Sequence, residues 1–196
     1  MNANKTILYL SCVVLSIFLI AANPGGASNS QNHCYALISP VNTNSDEFSK
    51  ILETNCFDSF YESLKAATNG RILIDSSIQP HEVTDDLLSS FSGDSLTDQQ
   101  VVIGIDWDYA DFGGGSYTWV VATSGCSSSV SYNVPTMPSG WDNRVSSARG
   151  YSNCNSFYHY QNTDFGGSSV VCNITGCSTM GSLDNATSSE KWLYTP

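Results

Sequence analysis

Between Ile7 and Ala22 the chain is apolar almost without a break for 16 residues, and no later stretch matches this run. Lys5 precedes it, and Gly25 and Ala27 follow as small residues at the −3 and −1 positions of a cleavage site before Ser28. This layout predicts a secretory signal peptide over residues 1–27 and a secreted, extracellular mature chain. The run is shorter than the roughly 20 residues a membrane span needs, so no membrane association is expected after cleavage.

Beyond the signal the apolar spacing changes character. Cys34 to Ile38 is a short apolar run closed by Pro40, which predicts a strand. Phe57, Phe60, Tyr61 and Leu64 recur at helical spacing and stop at Asn69-Gly70. Arg71 to Ile74 predicts a second short strand. Val83, Leu87, Leu88 and Phe91 predict a second helix, from near Pro80 to Ser92-Gly93. Residues 28–100 therefore read as a small α+β N-terminal region that matches no motif, ending in a polar linker over Ser89–Gln100. From Val101-Val-Ile-Gly-Ile105 onward, short aromatic runs alternate with Ser, Gly and Asn turns, so residues 101–196 predict an all-β sandwich.

Charge and cysteine content narrow the function classes. There are 18 acidic and 7 basic residues, a net charge of −11, which argues against a nucleic-acid partner. Once Cys12 leaves with the signal, six cysteines remain: Cys34, Cys56, Cys126, Cys154, Cys172 and Cys177. An even count in an exported chain implies disulfides, and six cysteines allow about 15 pairings that spacing alone does not separate. Pairing of neighbours is the expectation: Cys34 with Cys56, Cys126 with Cys154, Cys172 with Cys177. The three histidines, His33, His81 and His159, are far apart and show no metal-ligand spacing.

The second half contains an internal repeat. Trp107 is followed after six residues by Gly114 and then by Ser116, and Tyr160 by Gly167 and Ser169 at the same intervals. The cores are Asp111-Phe-Gly-Gly-Gly-Ser116 and Asp164-Phe-Gly-Gly-Ser-Ser169. This spacing suits a strand folding over as a hairpin, with the aromatic packed on it, Gly at a positive φ, and Ser capping loose backbone groups. Each copy is followed by a hexapeptide of the form [ND]-[ND]-x-x-[ST]-S: Asp142-Asn-Arg-Val-Ser-Ser147 and Asp184-Asn-Ala-Thr-Ser-Ser189. Adjacent oxygen-bearing side chains with a hydroxyl four positions on suit a hard cation such as Ca²⁺.

On these two alternating motifs, residues 101–194 resemble the βγ-crystallin family, specifically its calcium-binding members outside the eye lens. The resemblance implies two Greek-key motifs packed as a two-sheet sandwich, with two Ca²⁺ sites near a pseudo-twofold axis. It further implies carboxylate ligands from Asp142 and Asp184, main-chain carbonyls from Asn143 and Asn185, and hydroxyls from Ser146 and Ser188. Ligands are exchanged between motifs, and the rest come from the loops near Tyr109–Asp111 and Asn162–Asp164. The segment from Ser116 to Asp142 is longer than its counterpart, which predicts a displaced first site.

Other chemistries find less support. Gly-x-Ser-x-Gly and His-Glu-x-x-His are absent, so no enzyme is expected. Asp106-Trp-Asp-Tyr-Ala-Asp111 lacks the Gly and Glu of an EF-hand loop; Asp106 and Asp108 read as strand residues, as does His159, and Asp111 as a solvated turn. The alternative function is a secreted proteinase inhibitor or antimicrobial toxin acting on a proteinase or cell surface. Its inhibitory loop would be Ser127–Ser139, closed off by Cys126 and Cys154. In a eukaryotic producer, Asn173-Ile-Thr and Asn185-Ala-Thr are glycosylation acceptors.

Overall fold

The computed structural model describes residues 32–90, 100–122 and 124–196. The signal peptide lies outside the described residues, as do most of the predicted linker and the predicted end of the second helix.

The chain opens with β1 (His33–Ile38), β2 (Val41–Asn42) and β3 (Ile51–Phe57), followed by helices α1 (Phe60–Ala67) and α2 (Asp85–Ser90). Seven strands follow: β4 (Val101–Tyr109), β5 (Gly113–Val121), β6 (Val130–Val134), β7 (Ser147–Gly150), β8 (Ser156–Tyr160), β9 (Ser169–Asn173) and β10 (Ser189–Leu193). They form two five-stranded sheets, in the orders β3-β1-β5-β4-β7 and β2-β6-β10-β8-β9.

The repeat explains this topology. Strands β4, β5 and β7 of the first motif lie in the first sheet, while β6, third in order, crosses to the second sheet and pairs with β10. Strands β8, β9 and β10 of the second motif lie in the second sheet. Its third segment crosses back, where Cys177 and Ala148 exchange backbone hydrogen bonds of 2.8 and 3.0 Å beside β7. Exchange of the third strand makes two interlocked Greek keys in one sandwich.

The compositional boundary near residue 100 is not a break in the sheets. β1 pairs in parallel with β5 over His33–Ile38, β3 forms the outer edge beyond β1, and β2 pairs with β6 in the other sheet. The helical part of the N-terminal region covers the outer face of the first sheet, where Phe60, Leu64, Ala67, Ile72, Ile74 and Val83 pack on Ile105 and Trp107. The middle of the first sheet is therefore buried on both faces, and residues Val102 to Trp107 of β4 are buried without alternation. β8 in the second sheet alternates instead, burying Phe157 and His159 and leaving Ser156, Tyr158 and Tyr160 partly exposed.

Local signals account for α1. Ser59 caps it by accepting from Glu62 N–H at 3.2 Å, and Asn69 and Gly70 end it with φ of 51° and 75°. Two N-terminal expectations are corrected. Phe57 belongs to β3 rather than to the helix, because β3 runs antiparallel to β1 up to the His33–Phe57 pair. Arg71–Ile74 is extended but is no strand: Ile72 and Ile74 point into the core without a neighbouring strand to hydrogen-bond. The stretch Ser127–Ser139 is not one continuous loop. That stretch contains β6, an interior strand of the second sheet, with Ser131–Val134 buried.

Between the sheets pack Ile38, Ile103, Trp119, Tyr132, Trp141, Phe157 and Trp192, among others. The three cysteine pairs are the expected neighbours, with Cα separations of 4.0, 4.8 and 5.3 Å for Cys34–Cys56, Cys126–Cys154 and Cys172–Cys177. Trp192 lies so close to β4 that a Cβ at position 104 would overlap its ring. Gly104→Ala is therefore expected to destabilise the protein by about 1–3 kcal/mol through overpacking, read as a lower urea midpoint with an unchanged slope.

Burial also pushes two tyrosine hydroxyls up. Desolvation raises Tyr117 to about 12, opposed by its hydrogen bond with Thr54, and raises Tyr151 further still. The folded state thus holds protons that the unfolded state releases above about pH 10. Stability should be intact below pH 10 and fall between roughly 10 and 12, with Tyr117 alone accounting for about 2–3 kcal/mol. A spectrophotometric titration at the phenolate band should show these two tyrosines ionising together with loss of near-UV circular dichroism.

Candidate functional site

The two signatures fold as hairpins with nearly the same backbone. Trp107 and Ser116 are register partners across β4–β5, and Tyr160 and Ser169 across β8–β9. At each bend an Asp-Phe pair adopts left-handed angles, with φ of 56° and 61° at Asp111-Phe112 and 53° and 62° at Asp164-Phe165. Gly114 and Gly167 follow at φ of 80° and 76°, and at Gly114 a Cβ would strike Asp108 Oδ1. Each phenylalanine meets the signature aromatic edge to face, Phe112 at 5.2 Å from Trp107 and Phe165 at 5.6 Å from Tyr160. Each also carries a cation on its ring, Arg149 and Lys191, both 4.1 Å from the ring centroid.

The expectation that Ser116 and Ser169 cap the hairpins is corrected. Ser116 is buried against His33, 2.9 Å away, and Ser169 is exposed. The staples are the last serines of the two hexapeptides. Ser147 Oγ donates to the Tyr109 carbonyl at 2.6 Å and accepts from Phe112 N–H at 3.0 Å. Ser189 Oγ donates to the Asn162 carbonyl at 2.6 Å and accepts from Phe165 N–H at 3.0 Å. Each hydroxyl thereby holds a bend that is strained at two consecutive non-glycine residues.

The hexapeptides are paired with each other. Asn143 N–H donates to the Thr187 carbonyl at 2.9 Å, and Asn185 N–H to the Val145 carbonyl at 3.0 Å. Both asparagines are exposed and left-handed, at φ of 58° and 53°. In both copies the first two residues are exposed and the last two buried. The longer segment before Asp142 has therefore not displaced the first copy; its extra length is taken up around β6. Ser188 Oγ reaches Asn143 Oδ1 at 3.5 Å, so the hydroxyl of the second copy sits beside the asparagine of the first. Ser146 N–H donates to the Trp107 carbonyl and Ser188 N–H to the Tyr160 carbonyl, both at 2.8 Å.

The carboxylates of Asp142 and Asp184 are exposed, and neither has a salt-bridge partner among the described residues. Asp142 Oδ2 accepts from Asn143 Nδ2 at 3.1 Å. The cation within the first hexapeptide, Arg144, turns away to Asp108 at 2.8 Å and stacks 4.7 Å from the Trp141 ring. In the loops, Asp111 and Asp164 are exposed, and their N–H groups donate to Ser178 and Pro135 carbonyls of the opposite motif's third segment at 2.7 and 2.8 Å. Asn173 is exposed at the last position of β9, its Oδ1 accepting from Thr175 Oγ1 at 2.6 Å.

Two sandwiched Greek keys with exchanged third strands, a stapled hairpin in each, and paired hexapeptides form a recognisable whole. The chain resembles βγ-crystallin domains. Among solved structures it is similar to a betagamma-crystallin from an archaeon (21% identity, 47% of this chain, 99% of that one, TM-score 0.35). It is also similar to the N-terminal domain of protein S (18% identity, 48% and 98%, TM-score 0.35). A third is a structure describing the evolution of the eye-lens beta-gamma-crystallin domain fold (18% identity, 53% and 96%, TM-score 0.37). No protein-family model matches the sequence, and no curated protein does.

One constellation was not foreseen from the sequence. Asp106, His159 and Glu190, from β4, β8 and β10, meet between the sheets, wholly buried. Burial pushes the Glu190 carboxyl well up, and the nearby Asp106 charge adds to this. The repeat itself held a signal: Asp106 and His159 each stand directly before the signature aromatic, and so occupy equivalent positions.

Removing one staple tests how the bends are held. Ser147→Ala and Ser189→Ala should each cost about 1–3 kcal/mol, since two buried hydrogen bonds lose their common partner. The check is chemical denaturation of the single and double variants, in which any departure from additivity measures how far the paired hexapeptides couple the two bends.

Proposed function

We propose that this is an exported, non-enzymatic βγ-crystallin-like protein whose paired hexapeptides bind Ca²⁺ and whose Greek-key domain is stabilised by the bound ion. The observation that carries this reading is the reciprocal backbone exchange between the hexapeptides. It brings the donors of both copies together and sets Ser188 beside Asn143, in keeping with ligands exchanged between motifs. The donor set fits the ion: carboxylates from Asp142 and Asp184, hydroxyls from Ser146 and Ser188, and carbonyls from Asn143 and Asn185 are all hard oxygen ligands. Ca²⁺ would supply the positive charge that the two carboxylates lack while Arg144 is held on Asp108.

Export is supported by the N-terminal apolar run and by three cysteine pairs at disulfide distance. Exposed Asn173 and Asn185 are the proposed glycan acceptors in a eukaryotic host. A glycan on Asn185 would point to water while its carbonyl serves the ion.

With one carboxylate per site, calorimetry of calcium-depleted protein should reveal two sites with dissociation constants on the order of 10⁻⁵ to 10⁻³ M. Saturation at about 100 times the dissociation constant should add roughly 2.7 kcal/mol per site to stability. The double change Ser146→Arg and Ser188→Arg should abolish the heat by placing a cation in each site. A wild-type trace showing only dilution heat at millimolar Ca²⁺ would overturn the reading.

A further inference from the structure

The fully buried cluster of Asp106, His159 and Glu190 has a geometry that ordinary side-chain pairing leaves incomplete. His159 Nε2 lies 3.1 Å from Asp106 Oδ1 and 3.4 Å from Glu190 Oε1, and the three ligand atoms fall within 4.8 Å of one another. Trp119 Nε1 donates to the other Asp106 oxygen at 2.7 Å. Glu190 is not satisfied in this way. Its Oε1 makes no aligned hydrogen bond with the imidazole and its Oε2 has no hydrogen-bond partner, although the residue is wholly buried. A buried carboxyl without an aligned partner is unfavourable in a dry core.

We propose that Asp106, His159 and Glu190 form a buried structural site for a divalent d-block cation, with Zn²⁺ as its best-fitting occupant. Two carboxylates and a neutral imidazole carry a charge that one divalent ion cancels. Ligands bound to tetrahedral Zn²⁺ at 2.0–2.2 Å stand about 3.3 Å apart, and the separations of Asp106 Oδ1 and Glu190 Oε1 from His159 Nε2 bracket that value. The imidazole and the small number of donors disfavour Ca²⁺, which takes six to eight oxygens.

The surroundings suit such an ion. The Trp119 indole fixes the orientation of Asp106, as an outer-shell donor does for a ligating carboxylate. Among the described residues no fourth His, Cys, Asp or Glu joins the three, so the fourth position would fall to a water carried in with the ion during folding. The ion would tie β4 of the first sheet to β8 and β10 of the second, cross-linking the sandwich from within. Because the three residues are sealed off, loading belongs to folding and release to unfolding.

The test is metal content after refolding. Purified protein is unfolded in EDTA, refolded with Zn²⁺ in calcium-free buffer, passed over a gel-filtration column containing EDTA, and assayed by mass spectrometry for metal. About one Zn²⁺ per chain should survive the column and be released on denaturation. His81→Gln, an exposed histidine outside the cluster, should leave this unchanged. Glu190→Gln should lower retention at least tenfold while keeping the near-UV spectrum of the folded protein.

Wild-type retention below about a tenth of an equivalent, or undiminished retention in folded Glu190→Gln, would overturn the proposal. Should that variant not fold, refolding the wild type with Co²⁺ decides. Intense visible bands of four-coordinate cobalt support the site, and the weak spectrum of six-coordinate cobalt overturns it. Neither readout involves Ca²⁺ or the surface hexapeptides, so the two proposals stand or fall separately.

Discussion

The backbone exchange between Asn143–Val145 and Asn185–Thr187 is the constraint on which the rest of the molecule depends. Each hexapeptide hydrogen-bonds to the other copy at its start and staples its own hairpin at its end, through Ser147 or Ser189. Because the serine in each staple is the first residue of the motif's last strand, placing that strand and closing that hairpin are one event. The crossing third segments then have one place to go, beside the partner motif's last strand. A twofold arrangement of this kind needs no long-range signal in the sequence beyond two similar hexapeptides, each following one of two similar hairpins.

That is why the second half was legible in advance and the first half less so. The aromatic, glycine and hexapeptide positions are fixed by local backbone demands, left-handed bends and capped hairpins, and such demands leave residue-level marks. The N-terminal elements answer to tertiary demands instead. β3 is an edge strand whose residues from Ile51 to Asn55 are all exposed, so no alternation marks it, and Phe57 was drawn into a helical pattern by chance spacing. Arg71–Ile74 does alternate as a strand would, but it lies over a sheet face as covering and has no strand to pair with.

The site shows the same division. The hexapeptide residues were found because their chemistry is contiguous in sequence. Asp106, His159 and Glu190 come from three separated strands and converge only because the sandwich closes. Asp106 and His159 stand between aromatic or apolar neighbours and Glu190 between Ser189 and Lys191, so each reads as an ordinary strand residue. Only the alignment of the two repeats puts Asp106 and His159 in register.

The parallel pairing of β1 with β5 sets an order of events during synthesis. His33 is hydrogen-bonded to Ser116, which follows it by 83 residues, so β1 lacks its inner partner in the sheet until most of the chain exists. At 5–20 residues per second that wait is roughly 4–17 seconds. Only β3, 22 residues away through Cys34–Cys56, reaches it sooner. A two-stranded ribbon of β1 and β3 is marginal in water, and its unpaired edge is the one that β5 later occupies. For that interval the nascent chain presents an open strand edge to its surroundings. The early covalent clasp holds the ribbon in register, and the rest of the sheet is assembled onto it last.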